Sequence, residues 1–201
     1  MKMSVVDRIL LLITSLLASY QIVVGIDKMG NLPIIAYTIA FGALLIAGLL
    51  LIILGFDVLD SPIVVIVSTI IPLCIATGLI WQHVALLRTP YILFALIGFV
   101  AVVLTRLTPM RNKLPVITLA IVHGIAGMTI FLLPILTSAQ AKTPPLFSLV
   151  GVGGALISIG GLLLSFLKTG RPILSRETLL KVLPGLLLLM TICFIIGFMY
   201  G

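Results

Sequence analysis

"PIIAYTIAFGALLIAGLLLIILGF", residues 33 to 56, runs for 24 residues without a charged side chain. As an α-helix it would rise about 36 Å, more than the ~30 Å hydrocarbon core of a bilayer. Only helices and closed barrels satisfy every backbone polar group in lipid. The apolar residues here are continuous rather than alternating, so the period of a barrel strand is missing and the stretch reads as a spanning helix.

The rest of the chain agrees with that stretch. Its 201 residues are 62% hydrophobic and 8% charged, with a mean hydropathy of +1.42, against about 25% charged residues in a soluble domain. Proline, glycine and charge divide it into seven apolar segments, approximately 9–26, 33–56, 62–87, 91–105, 115–137, 146–167 and 179–200. The expectation is an all-α polytopic membrane protein, one transmembrane domain over 1–201, with about seven helices. The first segment follows Lys2 and Arg8 as a signal peptide would. It is longer than the usual ~7–15-residue signal core and no A-x-A site follows, so it is read as a spanning helix. Cleavage there would leave six. The fourth segment would rise only about 22 Å, which requires shielding by neighbours or extension at either end.

Charge sets the expected orientation. Lys2, Arg8, Arg106, Arg111, Lys113, Lys168, Arg171, Arg176 and Lys181 fall on one side, and only Lys28, Arg88 and Lys142 on the other. The cation-rich side is the inner one, which puts the N-terminus inside and the C-terminus outside. The net charge of +7 is thereby a membrane signal and does not call for a nucleic-acid partner. Tyr20, Tyr37, Trp81, Tyr91 and Tyr200 all fall near the outer surface, as an interfacial belt of rings would.

Within "GLIWQHVALLRTP", residues 78 to 90, Trp81 and Tyr91 read as belt residues, Arg88 as a snorkelling cation and Thr89-Pro90 as the turn into the next helix. Gln82 and His83 are left over as candidate binding residues. His123, in "AIVHGIAGMT", is a third candidate, because an ionisable group at mid-depth is costly and faces a bundle interior or a wet cavity. The two histidines do not share a depth. Counted from Pro115 and Pro62, they lie about 12 and 31 Å along their helices, so one iron cannot take both. No HxxxH, HExxH or carboxylate spacing marks a metal site.

The sixth segment, "LVGVGGALISIGGLLLSF", places Gly151, Gly154, Ser158, Gly161 and Ser165 at steps of three and four along one face. In lipid such a stripe lets two backbones approach closely. Gly153 and Gly160 add a flanking row, which predicts a central helix. Pro72, Pro134 and Pro184 sit within helical segments, and each removes one backbone bond. Cys74 and Cys193 are read as small buried residues. They open "CIATGLIW" and "CFIIGFMY", which share C-x-x-x-G-x-x-aromatic. Helices one to three and five to seven would then be parallel triplets joined by the fourth, an arrangement some transporters use.

The inner loop holding Lys168, Arg171, Arg176 and Lys181 suits anionic headgroups or an acidic partner surface, with Ser175 as an N-cap ahead of Glu177. The acids Asp7, Asp27, Asp57, Asp60 and Glu177 all lie near membrane edges. No nucleophile has a base at a readable spacing, and Asp57 and Asp60 read as caps for the third helix. The leading expectation is a non-catalytic membrane protein that packs with other membrane subunits or with itself. A small transporter or channel with 3+1+3 repeats is the alternative, and a haem- or quinone-binding membrane protein the third. The residues name no cofactor.

Overall fold

The computed structural model describes residues 3–26, 30–108, 113–168 and 174–200. Among them the chain forms seven α-helices: α1 (Val5–Val24), α2 (Asn31–Leu54), α3 (Pro62–His83), α4 (Arg88–Leu107), α5 (Leu114–Ala139), α6 (Ser148–Lys168) and α7 (Arg176–Met199). Six of them are long and apolar enough to cross a membrane, and α6 is apolar over Pro145–Gly161. Short 3-10 turns, Phe56–Asp60, Ala85–Leu87 and Pro145–Phe147, stand before α3, α4 and α6.

Caps explain where the helices begin. Ser4 and Asp7 form a reciprocal capping box, at 3.1 and 2.8 Å, so α1 starts at Val5 rather than at residue 9. The N-cap of α3 is the Ser61 hydroxyl, which accepts from Ile63 N at 3.3 Å. Asp57 and Asp60, read as capping the turn into α3, lie in the 3-10 turn Phe56–Asp60 that precedes it. Ser175 caps α7 by accepting from Thr178 N at 3.1 Å.

The largest revision concerns α4. With the turn Ala85–Leu87 it is a continuous apolar segment of 23 residues, not a short one over 91–105. Pro90 sits in the first turn, where backbone N–H groups have no intrahelical partner, so it does not delay the helix. Pro72, Pro134 and Pro184 likewise lie within unbroken helices.

α4 and α5 run antiparallel. Gly98 of α4 faces Val122 of α5, while Arg106 Nη2 at the end of α4 donates to Pro115 O near the start of α5, at 3.4 Å. Eight residues forward on α4 match seven back on α5. The main contacts join α1 to α2 and α7, α2 to α3, α3 to α5, and α5 to α6 to α7, which closes a ring of six. α4 lies outside the ring, against α3 and α5. Exchanging α1, α2 and α3 for α5, α6 and α7 leaves the list of ring neighbours unchanged.

In a bilayer, whose tails are as apolar as leucine, such contacts would be held by close packing rather than by exclusion of water. α6 makes such contacts on two faces. A Cβ on Gly151 would lie 2.6 Å from Phe131 O of α5, and one on Gly154 2.6 Å from Ile130 Cγ2. Gly153 turns to α7, where a Cβ would meet the Phe194 ring at 2.7 Å. α6 is thus gripped on two faces by α5 and α7.

Candidate functional site

The upper end of the ring, where α3, α5 and α7 finish, gathers polar and aromatic side chains from separate elements. Gly78 begins the arrangement. A Cβ there would lie 2.5 Å from Tyr37 Cε1, so the Tyr37 ring of α2 packs directly against the bare backbone of α3. One helical turn further along that face stands Gln82. Its Oε1 accepts a hydrogen bond from Tyr37 Oη at 2.5 Å.

The Tyr37 ring also meets Phe198 of α7, with centroids 4.5 Å apart. Phe198 is also edge-on to Phe41 of α2 and to Phe147, each at 6.3 Å. His83 lies over Phe147 at 5.3 Å, and its Nε2 is buried without a hydrogen-bond partner. Offset and tilted ring pairs of this kind contribute about 0.5–1.5 kcal/mol each beyond their buried area. Beside Tyr37 a space of about 10 Å³, lined by Gln21, Thr38 and Phe41 among others, has room for one water.

These positions revise the aromatic belt. Tyr20 and Tyr200 are exposed, at 47% and 54%, but Tyr37 and Tyr91 are buried, at 1% and 8%, and point into the bundle. Trp81 is half-buried. Arg88 does not snorkel away from it: its Nε donates to Trp81 O at 2.7 Å and its guanidinium lies 5.2 Å from the Trp81 ring.

Of the three candidate binding residues, the structure brings Gln82 and His83 to this cluster and leaves His123 elsewhere. His123 is nine residues into α5, about 14 Å along it, whereas His83 ends α3 about 32 Å along. His123 Nδ1 and Arg106 Nε are buried without partners. Along the expected stripe, Gly151, Gly154 and Ser158 face α5, and Ser158 Oγ occupies the space where Gly127 would carry a Cβ. Gly161 faces open space. Of Ser165 and Lys168 only the backbone is described, and Arg171 lies outside the described residues.

At the lower end, Asp57, Arg176, Glu177 and Leu180 line an open cleft of about 310 Å³. Lys181 Nζ pairs with Glu177 Oε1 at 2.7 Å, one turn along α7 and in solvent. Such a solvent-exposed pair is screened and adds little to stability. Among the described residues, no three His, Cys, Asp or Glu side chains converge as a metal site would need.

Tyr37 and Phe198 are the site residues that sequence reasoning missed. The signal for Tyr37 was present: two antiparallel helices place it at the end where Gly78 and Gln82 stand one turn apart. No family model, curated protein or solved structure matches this chain.

Proposed function

We propose that the protein is a small multi-pass transporter, N-terminus inside, built from two three-helix units, α1–α3 and α5–α7, joined by α4. The observation that carries this reading is the matching of the two triplets. Their ring neighbours correspond one to one. Gly78 and Gly197, the glycines of the two C-x-x-x-G stretches, each receive the preceding helix: Tyr37 of α2 presses on Gly78, and Val150 of α6 on Gly197. A serine also meets a glycine where the first two helices of each triplet cross, with the partners exchanged between the helices: Ser15 of α1 with Gly48 of α2, and Ser158 of α6 with Gly127 of α5.

Duplicated helical units that meet along a seam are a recurrent way to build alternating access. The upper end of this seam offers neutral hydrogen-bonding groups, Gln82 and Tyr37, beside aromatic rings. That lining suits an uncharged solute with hydroxyl or amide groups, since an ion would be desolvated there without a counter-charge. The test is uptake of a panel of polyols, sugars and small amides into liposomes carrying the purified protein. Uptake above that of protein-free liposomes supports the reading, and none across the panel removes it.

A second reading, a non-catalytic subunit of a larger membrane complex, is favoured by Gly124 and Gly161. Both open outward from α5 and α6 with nothing within 4 Å of a would-be Cβ, leaving room for a partner helix. Purification in mild detergent separates the two, because stoichiometric membrane partners favour the subunit. An absorption spectrum of the same sample tests for haem or quinone.

A further inference from the structure

We propose that the seam between the two three-helix units is closed by two side-chain plugs, one at each end, that open in alternation. This rests on the transporter reading and adds the moving parts.

Contacts within the second unit differ in kind from contacts between units. Within the second unit, helices meet at backbone distance: a Cβ on Gly197 would lie 2.7 Å from Val150 N, and one on Gly151 2.6 Å from Phe131 O. Such contacts have no slack, because backbone atoms cannot rotate aside. Between units the contacts named below are made by side-chain tips, which can part and re-form. The buried hydroxyls of Thr14, Thr69 and Thr191 each donate to their own helix, to Leu10, Val65 and Leu187 carbonyls at 2.7 to 2.8 Å, and these bonds tie no helix to its neighbour.

The upper plug is aromatic. Phe198 of the second unit inserts between Tyr37 and Phe41 of the first, and His83 closes over Phe147 beside it. The lower plug is a separate buried cluster in which Leu11, Leu51 and Phe56 of the first unit meet Leu180 of the second. On the second unit's side the lower plug is Leu180, with the partly buried Leu187 packed against the cluster, and Leu180 borders the open cleft. The upper plug is several rings deep. A rigid second unit rocking against the first cannot part from it at both ends without losing both sets of contacts, so loosening one end favours closure of the other.

The experiment uses the full chain in lipid vesicles, with Cys74→Ala and Cys193→Ala, and a membrane-impermeant maleimide as probe. Thr14→Cys, buried one turn from the lower plug and not part of it, reports on the lower end and Gln21→Cys on the upper. Thinning the upper plug with Phe198→Ala is expected to slow labelling of the lower reporter at least about five-fold and to speed the upper one. Leu180→Ala is expected to do the reverse. Phe198→Leu, which keeps most of the side-chain volume, gives a smaller shift of the same sign and guards against misfolding, checked by a single peak in size exclusion. General loosening speeds both reporters, and independent ends leave the opposite reporter unchanged; either result overturns the proposal. No solute is needed for the labelling, so uptake with uncoupled ends would remove the plugs and keep transport. Coupled ends without uptake would do the opposite.

Discussion

At the scale of single residues, the pairing of Tyr37 with Gln82 concentrates what is specific about the site. Tyr37→Phe removes the donor and leaves Gln82 Oε1 facing buried rings, at an expected cost of about 1–3 kcal/mol in thermal unfolding in detergent. Gln82→Leu in the same background should cost less than the sum of the single changes, because the orphaned acceptor disappears with it. Additive losses would mean that the two side chains do not pair. The glycines make a second residue-scale contrast. Gly197→Ala drives a methyl group toward Val150 N and should destabilise by about 1–3 kcal/mol, whereas Gly161→Ala meets open space and should be neutral or stabilising by up to about 1 kcal/mol. Melting temperatures of the two variants decide it. The sequence flags both as small residues within apolar helices. Only the neighbouring helix tells them apart, since helical spacing carries no information about which faces are covered when the surroundings are as apolar as the interior.

At the scale of elements, the ends of α2, α3, α5, α6 and α7 lie within a few residues of where proline, glycine and charge place them. Those residues act locally, on their own backbone, and so can be read without neighbours. α1 and α4 were misjudged for the same local reason turned around: the Ser4 and Asp7 box begins a helix among polar residues, and Pro90 is harmless in a first turn. The end of α5 offers a sharper test. Lys142 N donates to Thr137 O and Ala141 N to Ser138 O, the bonding of a Schellman turn, yet Ala141 holds a φ of +54° where glycine is preferred. Ala141→Gly should therefore raise stability by roughly 0.5–1 kcal/mol, read as a higher unfolding midpoint. A loss would show that this turn is not left-handed in solution.

At the scale of the whole molecule, hydropathy and charge make the helical membrane class legible, because both act through the solvent rather than through contacts. They do not order the helices around a ring. Tyr37 and Tyr91 carry the point: a ring with a hydroxyl near a helix end has the same sequence signature whether it anchors at headgroups or packs on a neighbour, and both are buried. The ring of six with α4 outside emerges only from side-chain contacts such as those of Gly78 and Gly197. The central claim is that the chain threads the bilayer an odd number of times, with its cation-rich loops inside. Compartment-specific reporters fused in turn to the N- and C-termini test it most directly. The account predicts that the N-terminal reporter is active only inside and the C-terminal reporter only outside; activity of both in the same compartment would contradict it.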